Sequence, residues 1–310
     1  MKAITLQHYG QPEDLKLVEH PDPKVAPGEV LIRVKAAGVN PVDWKVGAGY
    51  LDPLMETHFP MIPGWDVSGV VERVGLDVDE FAPGDEVYGY VRKDSVQLGT
   101  YAELVSANVR LIARKPASLS WEQAAGVPLA GLTAYQSIKR VGVCEGETVL
   151  VHAAAGGVGI FGVQIAVALG ARVIGTASER NHDFVRELGA EPVTYGDGLA
   201  DRLRELAPDG VDAALDFVGG DAVDVSQQVL KQRDRVVSIA DPDVLAKGGH
   251  VLWVRPDSAD LTALGELADA GRLAVHVDRV LPLAEAAEAW RISSAGRVRG
   301  KLVLAVGEQG

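Results

Sequence analysis

The 310-residue sequence has a single cysteine, Cys144. One cysteine cannot form a disulfide within the chain, and it excludes every metal site that is built from several cysteines. Because a free cysteine behaves as a small apolar residue, we interpret Cys144 as part of the interior rather than as a catalytic thiol.

Basic residues are also few, with 30 lysines and arginines against 43 aspartates and glutamates, so the formal net charge is −13. A surface that binds phosphates over its whole area needs the opposite balance, so we expect no nucleic-acid partner and no membrane partner. Residues 1–8 lack the apolar run of a secretory signal. Residues 149–171 are largely apolar, but polar residues and glycines interrupt them, which favours a strand, a turn and a helix over a membrane span. We therefore expect a cytoplasmic protein.

The first third of the sequence predicts short strands that are separated by turns rich in glycine and proline. Pro27-Gly28 and Pro83-Gly84-Asp85 are two such turns. The strand candidates are residues 29–35, 67–74, 86–90 and 99–105. This pattern favours a small barrel or a curled sheet.

The pattern changes after about residue 116. Ser120-Trp121-Glu122-Gln123 matches a capping box and opens a helix. From residue 148 onward, continuous apolar runs are followed by helical segments, as expected for parallel strands that are covered on both faces. The strand candidates are residues 148–152, 172–176, 192–195, 211–217, 235–239 and 250–254, with helices at 158–169, 182–188 and 223–230. The predicted fold class is α/β, with a doubly wound domain after a β-rich one.

A glycine-rich turn, Ala153-Ala154-Ala155-Gly156-Gly157-Val158-Gly159, lies between the first strand and the first helix of this second domain. Glycines let the backbone approach a pyrophosphate closely, and the helix N-terminus supplies N–H donors. The spacing alone also fits tight packing of a helix on a strand, but five further strand candidates favour dinucleotide binding. The expected contacts are Ala155, Gly156, Gly157 and Val158.

The residues after the next strand bear on the choice between NAD and NADP. No carboxylate stands at the end of that strand, whereas Ser178 and Arg180 follow it and can bind the extra phosphate of NADP. Glu179 is expected to point outward near a helix start, where negative charge is favourable. A solvated surface arginine is the alternative for Arg180. The sequence therefore favours NADPH.

Six motifs follow one another along nearly the whole chain: Ala37-Gly38-Val39-Asn40-Pro41-Val42-Asp43, Pro63-Gly64-Trp65-Asp66-Val67-Ser68-Gly69-Val70-Val71, Gly84-Asp85-Glu86-Val87, Gly131-Leu132-Thr133-Ala134-Tyr135, the glycine-rich turn, and Leu188-Gly189-Ala190. Together they resemble the medium-chain dehydrogenase/reductase superfamily, in particular its quinone oxidoreductase and enone oxidoreductase group. The resemblance implies a GroES-like catalytic domain of residues 1–117 and 273–310 around a Rossmann NADP-binding domain of residues 118–272. It also implies an active site in the cleft between these domains and a homodimer joined through the nucleotide domains.

The sequence departs from the zinc enzymes of that superfamily. These enzymes have a cysteine where Asn40 stands and Gly-His-Glu where this chain has Gly64-Trp65-Asp66. A catalytic zinc needs about three Cys, His or carboxylate ligands, so we expect no metal site. Alcohol oxidation would lack its Lewis acid, whereas reduction of an activated double bond has less need of one. We expect NADPH-dependent reduction of α,β-unsaturated carbonyl compounds or quinones.

The resemblance implies three catalytic candidates. Asn40 would lie beside the nicotinamide and hydrogen-bond to the cofactor or substrate, and a simple turn residue before Pro41 is the alternative. Lys45 could stabilise an enolate or donate a proton, and Tyr50 is the rival donor. Both could instead be ordinary surface residues.

Five further residues are cofactor candidates. Thr133 is expected to touch the nicotinamide, and Tyr195 to stack near the adenosine phosphate. Phe217, Val218 and Ile239 follow or end two later strands, where ligands bind in such sheets, although buried packing is the alternative for Ile239.

Two other functions stay open at this point. An enoyl-thioester reductase of a biosynthetic pathway would need a groove for a pantetheine arm, and nothing in the sequence indicates one. A non-catalytic NADPH-binding sensor would keep the cofactor site without turnover.

Overall fold

The computed structural model describes residues 1–307, which contain parallel and antiparallel sheets together with helices. The strands are β1 (Lys2–Thr5), β2 (Lys16–Glu19), β3 (Glu29–Val39), β4 (Thr57–Ile62), β5 (Asp66–Val74), β6 (Glu86–Tyr90), β7 (Val96–Leu98), β8 (Leu104–Asn108), β9 (Ile112–Arg114), β10 (Thr148–Val151), β11 (Arg172–Ala177), β12 (Glu191–Thr194), β13 (Ala213–Asp216), β14 (Val236–Ser238), β15 (His250–Val251), β16 (Val277–Pro282) and β17 (Lys301–Ala305). The α-helices are α1 (Pro41–Gly47), α2 (Trp121–Gly126), α3 (Pro128–Val141), α4 (Gly159–Ala168), α5 (His182–Glu187), α6 (Leu199–Leu206), α7 (Ala222–Val229), α8 (Ser258–Asp269) and α9 (Ala286–Ser294).

The chain divides into two compact units. Unit 1 contains residues 1–129, 256–270 and the segment from Val275 onward, and unit 2 contains residues 130–255 and 271–274. The domain boundaries expected at 117/118 and 272/273 stay a prediction. The compact units differ from them in placing residues 118–129 and α8 in unit 1.

Unit 1 is built on a seven-stranded sheet in the order β16-β17-β3-β5-β6-β9, with β8 also paired to β3. β17 is antiparallel to β3, with Leu302 opposite Val39, so the C-terminal strand joins the sheet of the N-terminal segment. The Ser120 capping box is confirmed as well, since Ser120 Oγ accepts the Gln123 N–H at 3.2 Å. In addition, α8 lies close to β6, where the Tyr88 hydroxyl donates to the Leu261 carbonyl.

The strand predicted at residues 99–105 is wrong in position, because β8 begins only at Leu104. Gly99 approaches the backbone around Pro63 so closely that a Cβ on it would lie 2.4 Å from two carbonyl oxygens. This contact and a bond from the Thr100 N–H to the Gly64 carbonyl bend the segment out of the sheet.

Unit 2 contains a parallel six-stranded sheet in the order β12-β11-β10-β13-β14-β15. Its central strand β10 has three fully buried residues in a row, Val149, Leu150 and Val151, as an apolar strand covered on both faces requires. The predicted fold class, a β-rich domain together with a doubly wound Rossmann domain, is confirmed.

The single cysteine does not lie where the sequence predicted. Cys144 is exposed, so its interpretation as an interior residue is wrong; it lies in the turn that precedes β10.

Within residues 1–307, no helix is long and apolar enough to cross a membrane, and the apolar stretch at 149–171 forms most of β10, a turn and α4.

Candidate functional site

The glycine-rich turn joins β10 to α4 in unit 2. Two bonds attach it to β11: the Ala153 N–H donates to Thr176 Oγ1 at 3.0 Å, and the Ala154 N–H donates to the Thr176 carbonyl at 2.9 Å. The turn then closes on itself at Gly159, where a Cβ would lie 2.1 Å from the Ala153 carbonyl oxygen. Only glycine fits at this first position of the helix.

The same turn presents a helix N-terminus without a side-chain cap. Val158 is the N-cap residue and supplies no side-chain acceptor to α4. Gly156, Gly157 and Val158 are half-buried, and Ala155 is buried beneath them. Backbone N–H groups at such an end are suited to bind an anion such as a pyrophosphate, so these residues fit a dinucleotide.

Ser178 and Arg180 follow β11 directly. Ser178 is half-buried and begins a short 3₁₀ helix, and Asn181 Nδ2 donates to its hydroxyl at 3.3 Å. Arg180 is exposed, and no ion pair within residues 1–307 involves it. An exposed guanidinium two residues after a hydroxyl is chemically suited to bind a phosphate monoester.

Tyr195 lies at the end of β12 with 60% of its surface exposed. Arg202 on α6 holds the loop that carries it, because its guanidinium donates to the carbonyls of Thr194 and Asp197 at 2.8 Å each. Thr133 is buried in α3.

The remaining cofactor candidates follow β13 and β14. The Phe217 ring packs on α4, where a Cβ on Gly162 would lie 2.7 Å from it. Val218 is 60% exposed and Ile239 is half-buried. Because all strands of this sheet are parallel, these residues share one edge with the glycine-rich turn, Ser178 and Tyr195.

In unit 1, Asn40 is the N-cap residue of α1 and is buried. Its Nδ2 donates to Asp66 Oδ2 at 2.8 Å, and its Oδ1 accepts a bond from the Lys301 ammonium. Its backbone N–H donates to Asp43 Oδ2 at 2.8 Å, and the Tyr101 hydroxyl donates to the same oxygen. Asp43, Tyr101 and Lys301 are not among the site residues expected from the sequence. For Lys301 no local pattern could reveal the contact, because it lies 261 residues from Asn40.

This buried network carries two carboxyl groups and one amine. Burial raises the pKa of Asp43 to about 7, although bonds from Asn40 and Tyr101 oppose the shift. Burial raises the pKa of Asp66 to about 6, against the attraction of Lys301. Burial also lowers the pKa of Lys301, while both carboxylates act in the other direction. Hydrogen bonds from Asn40 and Tyr101 therefore do most to favour the charged form of Asp43, whereas the attraction of Lys301 does most for Asp66.

Lys45 and Tyr50 lie together at the other end of α1. The Tyr50 N–H donates to the Lys45 carbonyl at 2.9 Å, the Lys45 ammonium lies 5.6 Å from the Trp44 ring centroid, and the Tyr50 ring meets Trp44 edge-on at 6.1 Å. Lys45 is exposed, and Tyr50 is 66% exposed. Within the described chain neither forms an ion pair or a side-chain hydrogen bond, so both polar ends are available to a ligand.

The residues at the zinc-ligand positions do not fit a zinc ion. Asn40 already bonds to an ammonium and a carboxylate, and the indole of Trp65 offers no ligand. The positive charge of Lys301 next to Asn40 would repel a divalent cation. Moreover, residues 1–307 contain no group of three or more His, Cys, Asp or Glu placed to hold a metal.

Two family profiles match this chain. Residues 26–117 match the family profile described as alcohol dehydrogenase GroES-like domain, and residues 188–304 match the profile described as zinc-binding dehydrogenase. The chain is 32% identical to the Arabidopsis thaliana protein named NADPH-dependent alkenal/one oxidoreductase, chloroplastic, covering 98% of this chain and 79% of that protein. The chain belongs to the medium-chain dehydrogenase/reductase superfamily.

Two solved structures of this superfamily resemble the chain over almost its whole length. The quinone oxidoreductase of Coxiella burnetii is 35% identical with a TM-score of 0.86, covering 99% of each chain. A structure titled NAD-dependent alcohol dehydrogenase is 34% identical with a TM-score of 0.89, covering 99% of this chain and 100% of that one. The two names describe different reactions, and only the second names a cofactor.

Proposed function

We propose that this chain is an NADPH-dependent reductase of α,β-unsaturated carbonyl compounds or quinones that works without zinc. The observation that carries the proposal is one sheet edge in unit 2, where the glycine-rich turn after β10 lies next to Ser178 and Arg180 after β11. A turn that fits a pyrophosphate and a free arginine that fits a phosphate monoester together suit NADPH. The names of the Arabidopsis and Coxiella relatives support this reaction class.

In this proposal, the cofactor contacts are Asn40, Thr133, Ala155, Gly156, Gly157, Val158, Ser178, Arg180, Tyr195, Phe217, Val218 and Ile239. Bound NADPH supplies a hydride to the β-carbon of the activated double bond. The protein orients the reactants, and a donor on the carbonyl oxygen stabilises the charge that develops there.

The proposed catalytic residues are Asn40, Lys45 and Tyr50. The Lys45 ammonium and the Tyr50 hydroxyl are both exposed and unpaired, so either can donate to the carbonyl oxygen or supply the proton to the α-carbon. The side-chain amide of Asn40 is held by Asp66 and Lys301, and its backbone N–H by Asp43, so the amide keeps one orientation.

The proposal is tested with NADPH and NADH against a 2-alkenal, a cyclic enone, a naphthoquinone and, in the reverse direction, an alcohol. We expect cofactor oxidation with an enone or a quinone, and faster turnover with NADPH. Turnover of the alcohol alone would contradict the proposal, and tight NADPH binding without any turnover would indicate a sensor. An enoyl thioester added to the panel tests the biosynthetic alternative.

The preference for NADPH is expected to depend on Arg180. Arg180→Ser should weaken NADPH binding by roughly tenfold, because a charge-assisted bond to the phosphate is lost, and should leave NADH binding unchanged. The measurement is a fluorescence titration with each cofactor. Arg186→Ser is the matched control, since this nearby arginine already pairs with Asp183. Equal losses for the two cofactors would assign Arg180 no role in selectivity.

We also propose a cytoplasmic homodimer with no nucleic-acid or membrane partner. β15 is the edge strand of the six-stranded sheet within one chain; Val251 in this strand and Trp253 after it are partly exposed. Such an edge can pair with a second copy. Light scattering should give twice the mass of one chain, and a monomer at micromolar concentration would contradict the dimer. Cell fractionation tests the location.

A further inference from the structure

Two buried polar residues stand opposite each other at the ends of neighbouring strands in unit 2. Asp216 ends β13, Ser238 ends β14, and the two are direct partners in the parallel register. Both are fully buried. The loops that follow them carry Phe217, Val218 and Ile239, which are the proposed cofactor contacts of these two strands.

One carboxylate organises both loops. Asp216 Oδ1 accepts the N–H groups of Val218 at 2.9 Å and Gly219 at 2.8 Å, which closes the first loop. Asp216 Oδ2 accepts the Ser238 hydroxyl at 2.6 Å. Ser238 Oγ in turn accepts the N–H groups of Ala240 at 3.1 Å and Asp241 at 2.8 Å, which closes the second loop.

The two loops also touch each other. Gly219 has a positive φ of 79°, and a Cβ on it would lie 3.2 Å from the Ala240 side chain. The Ile239 N–H donates to the Asp216 carbonyl at 3.1 Å. The loops therefore form one hydrogen-bonded body whose shape depends on the Asp216–Ser238 pair.

Burying the carboxylate of Asp216 costs free energy, because its charge leaves water. No ion pair within the described residues involves Asp216, so only N–H and O–H dipoles compensate its buried charge. Hydrogen bonds to a carboxylate are roughly twice as strong as neutral ones, so the charge makes both loops stiff. Loops that are already ordered lose less entropy when a ligand binds.

We propose that Asp216 and Ser238 are positioning residues that hold the Phe217–Val218 and Ile239 loops in the conformation that binds NADPH. This inference rests on the proposed function, because it takes those loops as cofactor contacts. Neither Asp216 nor Ser238 needs to touch the cofactor.

The test compares Ser238→Ala and Asp216→Asn with Asp212→Asn. Asp212 lies just before the other end of β13, where its carboxylate accepts the Thr148 N–H and pairs with Lys231, so it is a structural carboxylate far from the cofactor edge. For each variant, the dissociation constants of NADPH and NADH are measured by fluorescence together with the unfolding midpoint. Ser238→Ala removes a single oxygen and decides the question if Asp216→Asn does not fold.

We expect Ser238→Ala and Asp216→Asn to weaken NADPH binding by about tenfold, because loops that have lost these bonds must be ordered when the cofactor binds. NADH binding should weaken by the same factor, because β13 and β11 lie on opposite sides of β10. Asp212→Asn should lower the unfolding midpoint without changing either dissociation constant.

Two results would overturn the inference in distinguishable ways. If Ser238→Ala binds NADPH as the wild type does, the pair is only structural, and the proposed function is untouched. If the wild type itself binds no NADPH, the proposed function fails, and the positioning role fails with it.

Discussion

Replacing Gly159 with alanine is expected to weaken NADPH binding by roughly a hundredfold or more. The added methyl group would lie 2.1 Å from the Ala153 carbonyl oxygen and 2.8 Å from two carbonyl carbons, and none of these backbone atoms can rotate away. The turn has to open, which moves the N–H groups at the start of α4 away from the pyrophosphate. A fluorescence or calorimetric titration measures the loss.

Gly156→Ala is the comparison for this experiment. A Cβ on Gly156 would lie 3.2 Å from the Ala153 carbonyl oxygen, so a small shift accommodates it within the protein. Its effect on binding reports how closely the cofactor approaches this residue. A folded Gly159→Ala protein with normal NADPH affinity would show that the turn serves only to pack α4 against β10.

The second large effect is expected for Lys301→Met, which should destabilise the protein by roughly 3–5 kcal/mol at neutral pH. The variant removes the only amine of the buried network and leaves Asp43 and Asp66 without an opposite charge. It also releases Asn40 Oδ1, so kcat should fall in the molecules that remain folded. Urea unfolding and steady-state rates measure the two effects.

The pH dependence of this effect has a definite sign. The folded-state pKa values of Asp43 and Asp66, about 7 and about 6, exceed the ordinary value of 3.8, so their contribution to stability is present below about pH 4 and is lost as the pH rises through 6 to 7. Without Lys301 these pKa values rise further. The destabilisation by Lys301→Met should therefore shrink as the pH falls from 7 to 5.

Lys115→Met is the matched control, because Lys115 is a similarly buried lysine of unit 1 whose carboxylate partner, Glu86, is largely exposed. Its effect on stability should hardly change between pH 5 and 7. Equal pH dependence in the two variants would contradict the assignment of the raised pKa values to the Lys301 network.

The sequence predicted the parts of the fold that depend on local patterns. The apolar runs at 148–152 and 172–176 are β10 and β11, because a strand covered on both faces needs no polar alternation. The helix start at Ser120 follows from bonds within four residues. The strand at 99–105 was placed wrongly because Gly99 approaches the chain around Pro63, a contact that no local pattern reveals.

For the site, too, local patterns reveal some residues, whereas contacts between residues distant in sequence stay hidden. Residues that follow the strands of unit 2 can be identified because all parallel strands end at one edge, whichever side chains they carry. The partners that fix these residues are different: Asp216 and Ser238 are 22 residues apart, and Asn40 and Lys301 are 261 residues apart. A single charged residue at the end of an apolar run, such as Asp216, is the one local signal that could have revealed a buried network.

The most direct test of metal-free, NADPH-dependent reduction is the rate with the best enone or quinone before and after exhaustive treatment with a chelator, with the metal content of the protein measured alongside. We predict the same rate per chain in protein that contains no zinc, because Asn40, Trp65 and Lys301 do not form a zinc site. A rate that disappears with the metal and returns when Zn²⁺ is added would contradict this claim.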